Sequence, residues 1–259
     1  MSVPVLAAAL PGWLGPTALG VGVLVAVTAA VLAVARVPGR WAPGLAVARG
    51  ALQLAVVAVV LHGVIASPLW VAVALVVMFA VATTTSARRL GFSARTLGLV
   101  AAGMAAGAGV ALAVVFATGA LELTPRYALA LGGIVTGGSM TAATLAGRRF
   151  RAAVGERWDE VEGWLALGAR PRTATLGLGR AAVHETLVPT TDQTRTTGLV
   201  TLPGAFVGAI FGGVSPLEAG RFQVVVLAAL LCATAVTAAV VVRGLGGVRT
   251  RPSEETSRR

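Results

Sequence analysis

Apolar residues occur along this chain in long blocks that are separated by short polar segments. Seven apolar runs stand out, at 13–35, 50–66, 68–84, 97–117, 127–145, 198–214 and 222–242. A helix needs roughly 20 apolar residues to cross the ~30 Å of hydrocarbon in a bilayer. The pattern therefore predicts an all-α, polytopic integral membrane protein with about seven transmembrane helices. The run at 198–214 is short and contains Pro203, so a re-entrant or broken helix is the alternative there.

The longest polar segment, 146–197, lies between the fifth and sixth runs. Four of the ten acidic residues fall within 156–162. Trp158, Val161 and Leu165 recur at helical spacing with the acids on the other side, which predicts a short amphipathic helix.

The rest of this segment carries strong breaking signals. Gly168 and Pro171 are expected to end the amphipathic helix. A second helix is expected over 172–187, ending at Pro189, and Asp192 is placed to N-cap the sixth span.

Composition supports a membrane protein. The chain is 56% hydrophobic and 12% charged, with a mean hydropathy of +0.86, whereas soluble domains are about 25% charged. The single cysteine, Cys232, excludes a disulfide within the chain. No basic segment precedes the first apolar run, so we expect no cleaved signal peptide.

The net charge of +11 allows two interpretations, nucleic-acid binding or membrane topology. All 21 basic residues are arginines, and the predicted spans place 19 of them on one side and only Arg126 and Arg221 on the other. Because arginine collects in cytoplasmic loops, we predict a cytoplasmic C-terminus, an external N-terminus and no nucleic-acid partner. The expected organisation is one transmembrane domain over 1–247, with a cytoplasmic loop at 146–197 and a disordered basic tail at 248–259.

Enzymatic motifs are scarce. A P-loop requires a lysine, and this chain has none. Its two histidines and one cysteine do not have the spacing of a metal cluster, so a metal site stays unknown. The sequence Gly137-Gly138-Ser139-Met140 is similar to the nucleophile motif of rhomboid proteases, but no histidine follows in a later span to act as its base. We therefore expect no catalytic residue and no enzyme.

Polar residues inside membrane spans tend to mark a transport path. Gln53, Ser139, Met140 and Thr141 are the candidates for a substrate path, and helix packing is the alternative for 137–141. Methionine sulfur can bind soft metals, but methionine more often fills space between helices.

Small residues four positions apart allow membrane helices to approach closely. Such pairs occur at Gly103 and Gly107 and at Gly133 and Gly137. The longer series Gly204, Gly208 and Gly212 predicts a contact surface within the subunit or between two copies.

Three segments carry a family resemblance: 137–145 (GGSMTAATL), 165–171 (LALGARP) and 187–213 (LVPTTDQTRTTGLVTLPGAFVGAIFGG). They resemble the FetB/YbbM-like family of ABC transporter permeases, and Gly138 departs from the asparagine expected in many relatives.

The resemblance implies a permease that works as a homodimer with a separate ABC ATPase subunit in the bacterial inner membrane. ATP would be bound by that partner, and no cofactor by this chain. Bacterial relatives are linked to iron export and plant relatives to aluminium tolerance or nucleotide-sugar transport, so the substrate stays open between a metal ion such as iron and a nucleotide-sugar-type solute.

The polar segment also resembles the EAA coupling motif of ABC importer permeases. Glu162 and Gly168 match its spacing, whereas Gly163 and Trp164 replace its alanines. The expected coupling residues are Glu160, Glu162, Gly168, Arg170 and Pro171. The alternative is a solvated surface helix without a partner.

A stand-alone channel or secondary carrier is the alternative to an ATP-driven permease. Such a carrier needs ionisable groups within its spans. In the predicted topology every Asp and Glu lies in a loop or tail, which favours an external source of energy.

Overall fold

The computed structural model describes residues 14–64 and 67–251, and every regular element in these ranges is an α-helix. The helices are α1 (Leu14–Val34), α2 (Ala42–Val64), α3 (Pro68–Arg89), α4 (Ala94–Ala117), α5 (Pro125–Glu156), α6 (Trp158–Ala166), α7 (Pro171–Ala174), α8 (Leu176–Thr196), α9 (Gly204–Phe211) and α10 (Pro216–Leu245). This confirms the predicted all-α class. The first residue of the predicted first span, Trp13, and most of the predicted tail, 252–259, lie outside the described residues.

The chain divides into two compact units, Met1–Gly63 and Val64–Arg259. In the described part of the first unit, α1 and α2 meet at one point near the start of α2. A Cβ atom placed on Gly44 would lie 2.9 Å from Cγ1 of Val25 in the middle of α1. The turn between them places Arg36 at φ 54°, and the Val37 N–H donates to the Leu32 carbonyl.

The second unit is built around α10, which packs against α4 and α5. Glycine makes the α4 contact possible: a Cβ on Gly107 would lie 2.5 Å from the Ala233 carbonyl oxygen, and one on Gly103 would lie 2.8 Å from Val241 Cγ2. The predicted packing role of this glycine pair is therefore confirmed. Backbones this close gain dispersion contacts that replace the hydrophobic force in lipid.

Helix α3 packs along α5 in the same direction. Leu75 lies against Gly132, and Leu90 lies against Gly147, each within 2.8 Å of the position of a Cβ on that glycine. Thr144 of α5 is also hydrogen-bonded to Ser86 of α3, with 2.9 Å between their hydroxyl oxygens. The small residues of α5 therefore hold α3 in register.

Five helices of the described residues are long and apolar enough to cross a membrane, namely α1, α3, α4, α5 and α10. The described apolar part of α2, Ala42–Ala58, is shorter. These helices match six of the seven predicted runs. The total of seven crossings and the orientation of the chain remain predictions.

The predicted sixth span is wrong as one continuous helix. Its helical part, α9, has only eight residues, about 12 Å at 1.5 Å per residue, which is too short for a bilayer. Residues 197–203 before it are non-helical, with Gly198 at φ 88° and an isolated bridge between Thr197 and Thr201. Pro203 supplies the N-cap position of α9 and cannot continue a preceding helix.

The predicted end of the preceding helix at Pro189 is also wrong. Helix α8 continues through Pro189 to Thr196, and Asp192 lies inside it rather than at an N-cap. Proline costs about 3 kcal/mol in a helix interior, but α8 packs against both α5 and α10. This tertiary packing stabilises the helix beyond the proline, and the segment 146–197 is consequently three helices and the end of α5 rather than an open loop.

Candidate functional site

The amphipathic helix predicted around Trp158 is α6, and its apolar face is packed against the end of α5. Val161 is fully buried in a cluster with Phe150 and Val154 of α5. Trp158 and Leu165 pack against the same cluster. The three residues that suggested the helix from their spacing therefore fix it to the bundle.

A tight glycine turn ends α6. Gly168 has φ 85°, its N–H donates to the Leu165 carbonyl at 2.9 Å, and the next N–H, of Ala169, donates to the Trp164 carbonyl at 3.0 Å. This pair of bonds is a Schellman motif, which requires a left-handed residue at the position of Gly168. Arg170 and Pro171 follow as the N-cap and first residue of α7.

The outward side of this turn combines acids with apolar side chains. Glu160 and Glu162 are exposed as predicted, and Glu160 is paired with Arg157. Trp164 is 50% exposed and Leu167 is 83% exposed. We call the structure formed by α6, the Gly168 turn and α7 the α6–α7 segment.

Trp164 and Leu167 are candidate contact residues that the sequence reasoning missed. Large apolar side chains on a polar surface often mark a protein contact. The spacing signalled only one of them, because Leu167 falls about 120° around the helix from Val161, whereas Trp164 is three residues from Val161 and was expected on the same side.

Thr175 joins the α6–α7 segment to α10 and was also missed. It is 2% exposed, and its hydroxyl oxygen lies 3.0 Å from the Pro171 carbonyl oxygen and 3.1 Å from the Gly246 carbonyl oxygen. Gly246 is the C-cap of α10. A threonine between two helices carries no sequence signal that distinguishes it from a surface residue.

Two arginines of α5 tie neighbouring elements to the same end of the bundle. Arg149 forms an ion pair with Glu185 of α8, with 2.8 Å between Nη1 and Oε2. Arg151 donates to the Leu90 carbonyl at the end of α3. The α6–α7 segment is consequently attached to a base in which α3, α5, α8 and α10 meet.

The three candidate substrate-path residues of α5 do not form one polar surface. Ser139 is fully buried in α5, and among the described residues its Oγ has no hydrogen-bond partner. Met140 is partly buried against the cluster that contains Met104. Thr141 is exposed and bonds the Gly137 carbonyl of its own helix. Gln53 is exposed on α2, in the other compact unit.

The glycines of α9 have no close neighbour within the described chain. A Cβ placed on Gly204 or Gly208 would have nothing within 4 Å, and one on Gly212 would meet only carbonyl oxygens of its own helix. The predicted role of these glycines in a contact surface, within the subunit or between two copies, stays a prediction.

Metal ligands are sparse in the parts of the chain that the structure describes. No three His, Cys, Asp or Glu residues lie together there.

Comparison with known proteins gives a family. The model of an uncharacterised protein family, UPF0014, matches residues 17–247. The UPF0014 membrane protein STAR2 of Oryza sativa subsp. japonica is 37% identical over 194 residues, which cover 74% of this chain and 68% of that protein. The protein ALUMINUM SENSITIVE 3 of Arabidopsis thaliana is 33% identical over 193 residues, which cover 74% of this chain and 71% of that protein.

A bacterial relative has a more specific name. The probable iron export permease protein FetB of Escherichia coli is 35% identical over 125 residues, which cover 48% of each chain. No solved structure matches the chain.

Proposed function

Because this chain belongs to the uncharacterised protein family UPF0014, we propose that it is the membrane-spanning permease subunit of an ABC transporter. The family includes a protein named as a probable iron export permease, and this chain has several helices long and apolar enough to cross a membrane. The bacterial relatives support a place in the cytoplasmic membrane.

The observation that carries the proposal is that the α6–α7 segment has a fixed shape and is attached to both α5 and α10. A subunit that receives force from an ATPase needs a rigid projection that is firmly attached to its spans. The Gly168 turn fixes the shape of this segment, Val161 fixes it to α5, and Thr175 fixes it to α10. A solvated helix without a partner would not require two large exposed apolar side chains at its tip.

We propose that Trp164 and Leu167 enter a groove of the ATPase and that Glu160 and Glu162 pair with its basic residues. Aromatic anchors at protein interfaces often contribute 2 kcal/mol or more, whereas exposed ion pairs contribute about 0–1 kcal/mol. The apolar anchors, more than the acids, should therefore decide the affinity. ATP is bound and hydrolysed on that partner, and two permease copies complete the membrane part.

The test is co-expression of the permease with an ABC ATPase subunit and measurement of their affinity. The double variant Trp164→Ala/Leu167→Ala should bind at least roughly 30-fold more weakly, which corresponds to about 2 kcal/mol. Phe92→Ala is the matched control, because Phe92 in the α3–α4 turn is 60% exposed, between Trp164 and Leu167. Unchanged affinity in the double variant would refute this contact.

The proposed cargo is a metal ion such as iron, which leaves the cytoplasm. Its support is the name of the E. coli relative. Vesicles that contain the permease and its ATPase should move iron only when ATP is present, and a failure to move iron with ATP turnover intact would exclude this substrate while preserving the assignment as a permease.

One observation favours a secondary carrier as the second candidate. Glu185 and Asp192 lie in α8, which packs against two candidate spans, so ionisable groups are not confined to open loops. A carrier would transport in the absence of any ATPase and would stop when the proton gradient is collapsed. The proposed permease would do neither.

A further inference from the structure

Helix α8 runs beside α10 in the opposite direction. Its preceding residue, Thr175, bonds Gly246, and one turn later a Cβ on Gly179 would lie 2.9 Å from Cγ1 of Val242. Ala182 then shares a buried cluster with Ala238. As α8 proceeds towards its C-terminus, it therefore approaches the apolar middle of α10.

The length of α8 carries it well into the bilayer region. Its 21 residues span about 31 Å at 1.5 Å per residue. If the register set by Thr175 and Gly179 holds through Pro189, α8 would end at roughly the level of Val226 of α10. The apolar part of α10 begins only a few residues before Val226, and α10 is a candidate span, so most of α8 lies at the depth of hydrocarbon.

One face of α8 is nevertheless polar and uncovered. Exposed residues recur along it at helical spacing, over a stripe of about four turns. They are Ala181, His184, Glu185, Val188, Asp192 and Arg195. Glu185 is paired with Arg149, and Asp192 with Arg195 at 3.6 Å. We call this set the α8 polar stripe.

The stripe cannot face lipid tails. A charged residue at the centre of a membrane helix costs about 2.5–3.5 kcal/mol on insertion scales, and the stripe has several. The backbone at 197–203, directly beyond α8, is not helical, and the same register places it near the start of the apolar part of α10. The charges of the stripe therefore require a polar environment along α8, and the non-helical segment lies where that environment reaches the far end of the helix.

We propose that the α8 polar stripe is the wall of a water-filled path that enters from the cytoplasmic end of the bundle and reaches the break at 197–203. The path admits a hydrated, polar solute. The inference rests on the proposed transport function, because it names the surface along which the cargo moves. It also offers one continuous surface in place of the separate candidates Ser139, Met140 and Thr141 of α5.

The experiment measures water access by cysteine modification in a Cys232→Ala background. Val188→Cys places a thiol on the stripe without removing a charge, so folding is preserved. Ala228→Cys is the matched control, because Ala228 is exposed on α10 at about the depth of Asp192. The full chain is reconstituted in vesicles with its cytoplasmic side outward and exposed to a charged, membrane-impermeant methanethiosulfonate.

Val188→Cys should react at least about tenfold faster than Ala228→Cys, because hydrocarbon suppresses the thiolate that reacts. Asp192→Cys should be similarly fast and extends the measurement to a deeper position. Equal, slow reaction at Val188 and Ala228 would overturn the path and place α8 against lipid or a second copy. Modification needs neither ATP nor an ATPase, so this result is independent of whether the proposed ATPase coupling succeeds.

Discussion

Gly168 shows how a single residue controls the shape of the proposed contact. Its φ of 85° lies in the left-handed region, where a β-branched residue is strained by about 1–3 kcal/mol. The sequence indicated a turn at this position, from glycine followed by proline, but could not give the sign of φ, because glycine adopts both signs with similar ease.

Substitutions of Gly168 should show whether ATPase binding depends on the backbone conformation of the turn or on the volume of the side chain there. Gly168→Val is expected to lower ATPase binding strongly, because the Schellman bonds cannot form without strain. Gly168→Asn should retain most of the binding, since asparagine adopts positive φ more readily than other residues. Gly163→Ala is the control, because a Cβ there meets nothing within 4 Å. Equal effects of valine and asparagine would show that the turn conformation is not the cause.

Gly107 and Gly208 give a second comparison at the residue scale. Gly107→Leu should prevent folding, because its side chain would enter the backbone of α10. Gly208→Leu meets open space within the described chain, so the fold should survive while the dimer weakens. Thermal unfolding and the mass of the detergent-solubilised protein distinguish the two effects. An unchanged mass for Gly208→Leu would remove α9 from the dimer contact.

At the scale of elements, the apolar runs predicted six helices well because hydrocarbon length and helix rise leave little freedom. Helix α8 was predicted to lie in a polar loop rather than to pack against the spans, because its sequence is polar. Its sequence contains Pro189 and several charged residues, and these features are typical of a loop, but its small residues Gly179 and Ala182 pack against α5 and α10. Such packing depends on partners far away in the chain, so local patterns could not reveal it.

Thr175 provides the test at this scale. Thr175→Val removes the donor to the Gly246 carbonyl and should cost about 1–3 kcal/mol if that oxygen loses its partner. We expect the ATPase to bind the variant normally but to be stimulated less by cargo, since the α6–α7 segment is no longer bonded to α10. Thr175→Ser should restore stimulation. If Thr175→Val is stimulated like the wild type, force does not pass through this bond.

At the scale of the whole molecule, the open point is how many times the chain crosses the membrane and on which side each terminus lies. The uneven distribution of arginines predicts a cytoplasmic C-terminus and an external N-terminus, which requires an odd number of crossings. Six apolar helices would give an even number, so on this prediction α8 and α9 together complete one further crossing. The length of α9 excludes it from doing so by itself.

Reporter fusions test this arrangement. A reporter after Arg259 should be cytoplasmic, and one at Ser2 should be external. If both lie in the cytoplasm, the chain crosses six times and α8 with α9 enters and leaves on one side.

The central claim is that energy reaches this subunit through the α6–α7 segment. The most direct measurement is cargo-stimulated ATP turnover by the reconstituted permease and ATPase, comparing wild type with Glu160→Arg/Glu162→Arg/Gly168→Val. The buried face of α6 is untouched in this variant, so the membrane helices should stay folded, with thermal unfolding lowered only by the strain of about 1–3 kcal/mol at position 168, whereas stimulation should be lost. Full stimulation and intact binding in the triple variant would contradict the account.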